Sequence, residues 1–261
     1  IGAHSGDAIT TGNDNTMVGS FAGSALTGSE HNTAMGKLAL ATDTLGSYST
    51  AFGTLTLNEQ NLTTATNTYN TAVGALAGRR ITTGIYNTVI GGLSGDHLTD
   101  ADYNVAVGYA LTADTLGSKS TAVGSHTLIN QNFTTATDSH NTAVGFQAGK
   151  EVTTGVQSTL VGSLCGDALT TGSMTAVGYL AGSAADTAIG NVLVGELAGT
   201  AITDGNNNTA VGSQALSSIT SSTDNTAIGH DALRYQTTGS ENTAVGSEAL
   251  DALTGGNGNV A

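Results

Sequence analysis

The stretch NTAVGALAGRRITTGIY, residues 70–86, is followed at once by NTVIGGLSGDHLTDADY, residues 87–103, and then by NVAVG at 104–108. Two neighbouring segments of equal length open with closely similar five-residue signatures and repeat Leu, Gly, Thr and Tyr at equivalent later positions, so the signature marks a structural unit. The same signature closes at Gly19, Gly36, Gly53, Gly74, Gly91, Gly108, Gly124, Gly145, Gly162, Gly178, Gly195, Gly212, Gly229 and Gly246, and it opens once more at Asn259. The spacing is mostly 17, with 16 at Gly108 to Gly124 and Gly162 to Gly178, and 21 at Gly53 to Gly74 and Gly124 to Gly145. That period is too short for helix-pair, ankyrin or propeller repeats. It predicts an all-β parallel β-solenoid, a β-roll or β-helix of about 17 residues per rung and about 15 rungs, in one array over residues 1–261.

The unit reads N-T-A-V-G-x-x-A-[LG]-x-x-[LI]-T-T-G-x-x. β-Branched Thr and Val favour an extended strand, and the glycine after them permits a corner that a Cβ would obstruct. Turn signals punctuate each second half: TTGNDN at 10–15, TDGNNN at 203–208 and TTGSEN at 237–242. Recurrent glycine at about 1 kcal/mol each disfavours helix. The absence of Pro suits rungs that must donate every N–H to a neighbour. Two short strands and two turns per rung are expected, with a core of Val and Leu. The stretch ADTAIG around Asp186 resembles an extra rung start and reads as a turn.

A four-rung duplication is visible, because residues 41–74 match residues 112–145 and both copies carry the insertion that makes a 21-residue rung. Whole-rung expansion is what a solenoid tolerates. Both ends of the sequence fall inside a repeat, which leads us to expect a stretch of a longer fibre or a subunit that stacks end to end. Fifteen rungs at about 4.8 Å would make a rod roughly 70 Å long.

Only 10% of residues are charged, and six Lys and Arg face twenty acids for a net charge of -14. This leaves no basic track for nucleic acid and no attraction to anionic membranes. No apolar run approaches the roughly 20 residues of a membrane span. The single Cys allows no internal disulfide, so stability must come from repetition and association.

In the NTAV strand Thr and Val share one face, Asn and Ala the other. One face can fill the roll, and the small Ala face (Ala34, Ala72, Ala106, Ala143, Ala176, Ala210, Ala227, Ala244) could pack against partner chains. A homotrimer, intertwined or side by side, is expected, with a flat monomer as the alternative. The rung N-T-A-V-G-x-x-A-L resembles the head repeat of trimeric autotransporter adhesins, and more closely the NTAVGxxAL arrays of bacteriophage tail fibres and other virion fibres. The resemblance covers essentially the whole chain. It implies a left-handed parallel β-roll with three chains around one axis, exposed on a virion or on a cell surface.

Three groups of residues are candidates for function. The position before the repeat Asn or Ser carries His31, Tyr48, Tyr69, Tyr86 and Tyr103 on successive rungs, then Lys119 and His140. Stacked rungs would align them about 4.8 Å apart, either as a strip for glycan or protein contact or, the simpler reading, as a self-stacking ladder. The insertions Asn58 to Thr68 and Asn130 to Asp138, with Asn61, Leu62, Asn132 and Phe133, are the second candidate for receptor contact, since loops on rigid scaffolds carry recognition. The third group is structural: Asn15, Asn32, Asn70, Asn87, Asn141, Asn208, Asn225 and Asn242 should form an amide ladder.

No catalytic, cofactor or metal site is expected. His230-Asp231 is an isolated pair, the Gly-Asp steps at 6–7, 95–96 and 166–167 are far apart, and GGNGN at 255–259 reads as an ordinary turn. Cys165 occupies a small, buried position. The expected function is a non-enzymatic structural and adhesive fibre. A bacterial surface adhesin or filament subunit is the alternative, followed by a depolymerising tailspike and an ice-binding solenoid that would need a flat, exposed Thr face.

Overall fold

The computed structural model describes residues 1–261 and consists of strands and turns without any helix. It divides into two compact units, Ile1–Val123 with Asn130–Ser139, and Gly124–Ile129 with His140–Ala261. Unit 1 contains β1 (Thr16–Val18), β2 (Thr33–Met35), β3 (Gly46–Ser47), β4 (Thr50–Phe52), β5 (Thr66–Asn67), β6 (Thr71–Val73), β7 (Thr88–Ile90), β8 (Val105–Tyr109), β9 (Gly117–Ser118), the start of β10 (Thr121–Ser125) and β11 (Thr137–Asp138). Unit 2 contains β12 (Thr142–Val144), β13 (Thr159–Val161), β14 (Ser173–Val177), β15 (Ile189–Val194), β16 (Thr209–Val211), β17 (Thr226–Ile228) and β18 (Thr243–Val245).

Within each unit the signature strands stack in sequence order and in parallel, like on like. Thr33 pairs with Thr50 and Ala34 with Ala51 in unit 1. Thr209 pairs with Thr226 and Ala210 with Ala227 in unit 2. This is a β-solenoid with rungs about 17 residues apart. Most rungs hold one three-residue strand rather than the two strands expected. The second half of a rung coils, because backbone at the seventh and ninth positions of the unit enters the left-handed region, as at Leu38 (φ 58) and Leu40 (φ 50). A second strand appears only on each wide rung and on the rung before it, where β3 pairs β5 and β9 pairs β11. At Asp186 the chain bends as expected, but Ile189 and Gly190 then lengthen β15, and the register shifts between Ser173 and Met174.

The two faces of the strand are now assigned. Ala34, Ala51, Ala72, Ala106, Ala210 and Ala227 are fully buried, as are Asn32, Asn87 and Asn208 before the strands. Threonine at the second position and the apolar residue at the fourth point outward and are half-buried or exposed. The Ala face is therefore interior and cannot meet a partner, and Thr with Val is not the core. The interior is lined instead by Ala and by Leu or Ile from the coiled half.

Volume inside the roll is shared among three positions. Where the ninth residue is Gly, the twelfth is apolar and buried, as in Gly23/Leu26, Gly78/Ile81, Gly95/Leu98 and Gly199/Ile202. A Cβ on Gly78 would stand 2.8 Å from Ile81 Cδ1 and 3.0 Å from Val89 Cγ2, so the space is taken. Where the ninth residue is Leu, the twelfth is a buried polar group in Leu40/Asp43, Leu57/Gln60, Leu128/Gln131 and Leu233/Gln236, whereas Leu216 keeps an apolar partner in Ile219. Close packing in a roll this narrow limits a rung to at most two large side chains, as in Leu160 with Leu169 and Leu193 with Ile202.

The corner glycine has no substitute. Gly162 lies at φ +141, and a Cβ there would fall 2.3 Å from the carbonyl oxygen of Gly178 on the next rung. Backbone strain of this kind costs on the order of 1–3 kcal/mol, and a backbone atom has nowhere to retreat. Gly162→Ala is expected to lower the unfolding free energy read from urea titration by at least that amount, whereas Ser163→Ala beside it should change it by less than about 0.5 kcal/mol. Equal midpoints for the two variants would show that the rungs can shift apart.

Candidate functional site

Left-handed backbone recurs just before each signature strand, at His31, Tyr48, Tyr69, Tyr86 and Tyr103 in unit 1 (φ 51 to 63). Non-glycine residues in this region carry a steric cost of roughly 1–2 kcal/mol. Here the rings recover it by stacking. His31 and Tyr48 have ring centroids 4.8 Å apart, Tyr48 and Tyr69 5.1 Å, Tyr69 and Tyr86 5.1 Å, and Tyr86 and Tyr103 4.9 Å. Interplanar angles run from 29° down to 5°. Each inner ring thus has another ring against either face. What the ladder offers outward is edges and hydroxyls, whereas sugar stacking needs a bare ring face.

Lys119 occupies the ladder position after Tyr103 and pairs with Asp138 of the second insertion. In unit 2 the same position passes to His140, Gln157, Asn207, Asp224 and Glu241, all at positive φ. Gly190 leaves it empty of side chain, and a recess of about 190 Å³ opens there, with Gln157 and Met174 on its wall.

The asparagines form a bonded ladder inside the roll. Asn87 Oδ1 accepts the N–H of Asn104 at 3.0 Å, and the Asn87 amide donates to the Ala101 carbonyl at 2.7 Å. The same double bond is made by Asn32 to Ser49 and Gly46, by Asn70 to Asn87 and Gly84, by Asn141 to Ser158 and Gly155, and by Asn208 to Asn225 and Ser222. Asn15 at one end of this series reaches Asn32 and Ser29, while Asn225 and Asn242 add side-chain bonds to the preceding Asn. A buried N–H with no acceptor costs about 1–3 kcal/mol, and each Asn supplies one acceptor and one donor at the corner where the strand ladder cannot.

A hydroxyl ladder went unread in the sequence. Thr27 donates to the Thr44 carbonyl at 3.1 Å, Thr82 to Thr99 at 3.1 Å, Thr99 to Thr115 at 3.0 Å and Thr237 to Thr254 at 3.1 Å. Its signal was the first Thr of the T-T-G turn, which repeats as faithfully as the Asn.

The insertions divide. Leu62 and Phe133 point into the core and are buried, which removes them as surface contacts. Asn61 and Asn132 take part in the hydroxyl ladder, their Oδ1 atoms accepting from Thr44 and Thr115. The exposed tips are Thr63–Ala65 and Thr134–Ala136.

Beneath each tip lies a buried polar network. Asp114 Oδ1 accepts from the N–H groups of Gly117 and Phe133, and Oδ2 from Gln131 Nε2 at 2.6 Å. Asp43 is held identically by Gly46, Leu62 and Gln60. Burial raises the Asp114 carboxyl above its ordinary 3.8, and hydrogen bonds from Gln131 and the backbone offset this only in part.

Elsewhere, Arg79 Nη2 meets Asp96 Oδ2 at 3.0 Å, and Asp231 is shared by Arg234 at 3.0 Å and His230 at 3.4 Å. No group of three or more His, Cys, Asp or Glu is gathered where it could hold a metal. No helix is long and apolar enough to cross a membrane. Cys165 fills an Ala position, and burial pushes its thiol up to about 12. No protein-family model matches the chain, and no curated protein sequence matches it.

Two outcomes follow from these ladders. Asn87→Ala strands the Asn104 N–H and the Ala101 carbonyl together and should cost about 2–4 kcal/mol, read as the shift of the chemical unfolding midpoint; Thr63→Ala at an exposed tip should leave it in place. The raised Asp114 binds its proton more tightly folded than unfolded, so its contribution is most favourable below pH 3.8 and is lost as pH rises through the higher folded-state value. Plotted against pH, the stability difference between wild type and Asp114→Asn should slope in that window and level off above it; a difference flat with pH would remove the carboxyl from the account.

Proposed function

We propose that this chain is a non-enzymatic structural section of a surface fibre, acting as a homotrimer on a virion or, alternatively, on a bacterial cell surface, with an adhesive role toward a cell-surface glycan or protein. The supporting observation is that one bonding pattern recurs from rung to rung: backbone ladder, amide ladder, hydroxyl ladder and, in unit 1, ring ladder. Such cross-rung bonding resists pulling along the stack because many bonds share the load. The repeat's resemblance to virion-fibre arrays points the same way. End-to-end filament growth is part of this reading, and no cofactor is required.

Receptor contact falls to the exposed tips Thr63–Ala65 and Thr134–Ala136 and to the hydroxyl edge of the tyrosine ladder. The mass and shape of the particle test the proposal. Light scattering with negative-stain electron microscopy should give three copies in an elongated particle, and a compact single copy would overturn it.

The outward Thr column favours one second reading, an ice-binding face. That face is compromised by the apolar residue beside each Thr, and the expected freezing-point hysteresis is nil; a clear hysteresis would reverse the order of the two readings.

A further inference from the structure

We infer that the apolar column two residues past the corner glycine, together with the outward fourth-position residues beside it, is the surface on which a second copy of this chain packs, parallel and in register. The inference rests on the homo-oligomeric reading above and names the face that reading needs, now that the Ala face is known to be interior.

The column in unit 1 is Phe21, Leu38, Leu55, Leu76 and Leu93. Each residue is in the left-handed region, at φ 58 to 62, and each donates its N–H to the preceding rung, as Leu38 does to Ser20 at 2.9 Å and Leu93 to Ala75 at 3.0 Å. The side chains are therefore aligned rung on rung. Beside them stand the fourth-position residues, of which Phe52 is 50% and Ile90 38% exposed. Unit 2 repeats the feature over three rungs at Leu164, Leu180 and Leu197.

In this column strain, exposure and an apolar side chain coincide, mostly without a stacked partner. The left-handed region accommodates Gly, Asn and Asp at least cost. At the ninth position a left-handed Leu is compensated by full burial, as for Leu40 and Leu57. Before the strand, left-handed residues are polar or lie in the stacked His–Tyr ladder. Six residues past the opening Asn, Leu is left-handed, only partly covered and, apart from Phe21 against His4, without ring stacking. Its strain is repaid when an apolar surface closes over it.

The occupant follows from repeat and charge. The two columns contain no charged residue over these five rungs, in a chain of net charge -14. Two such chains repel across most other approaches, and a basic partner would choose the acidic surfaces instead. Apolar side chains recurring every rung, about 4.8 Å, are matched along their whole length by a surface with the same repeat. A second copy has it, and parallel alignment brings equivalent rungs together.

The triple variant Leu38→Asn, Leu55→Asn, Leu76→Asn tests the assignment, because Asn is better suited than Leu to the left-handed region. In a lone chain it should hold or raise the thermal midpoint. In an associated one it removes the contact. The expected result is that wild type sediments at a multiple of 25.7 kDa and the variant as a single chain, a threefold fall in mass if the assembly is a trimer. A wild-type multimer that the variant leaves intact overturns the face while the oligomeric reading stands; a wild-type single chain overturns both. A second probe does not depend on the variant's folding. Val73→Cys should cross-link between copies on mild oxidation, the native thiol of Cys165 being buried, and failure of a multimer to cross-link would exclude in-register packing.

Discussion

The rest of the structure depends on the need of each rung to satisfy the backbone of the next. Strands of three residues cannot do this alone, since most backbone groups of a rung lie in its turns. The corner glycine lets neighbouring backbones approach closely enough to bond there, as the Gly178 N–H does to the Val161 carbonyl at 2.8 Å. Asparagine serves the buried corner, and threonine serves the far turn with its hydroxyl. The recurrence of these side chains along the chain follows from this bonding.

Core composition follows from the same constraint. A rung short enough to close every 17 residues encloses space for small side chains and at most two large ones. Ala at the third position keeps the strand wall thin, and Leu or Ile enters from the coiled half at either the ninth or the twelfth position. On four rungs where Leu takes the ninth, the twelfth is polar, and Gln60 and Gln131 of the wide rungs join Asp43 and Asp114 of the rungs before them in buried networks. The insertion is thus anchored from inside by a carboxyl held with two backbone N–H groups, which explains how a four-residue lengthening leaves the neighbouring rungs in register.

The left-handed residues divide the outer surface by chemistry. Before the strand they are rings that stack or polar groups that face water, and past the corner they are leucines that remain partly uncovered. A stacked ladder hides the ring faces that a glycan would need, so the aromatic strip reads first as reinforcement. The uncovered leucines are the surface with most to gain from another chain.

Sequence periodicity alone determined the class of fold, the parallel stacking, the positions of the corners and wide rungs, and which residues would align in columns. It did so because a repeat of fixed length stacks like on like, so every column can be read from spacing. It reached the Asn and Tyr ladders for the same reason. Only the tertiary structure decided which strand face is interior, since Thr-x-Val and Asn-x-Ala both alternate correctly and differ in nothing but the direction in which the chain turns at the glycine. That turn placed Ala and Asn inside, left Val at the surface, replaced the second strand by left-handed coil and drew Leu62 and Phe133 into the core. Such outcomes depend on φ at single residues and on the space opposite them, which alternation and spacing do not encode.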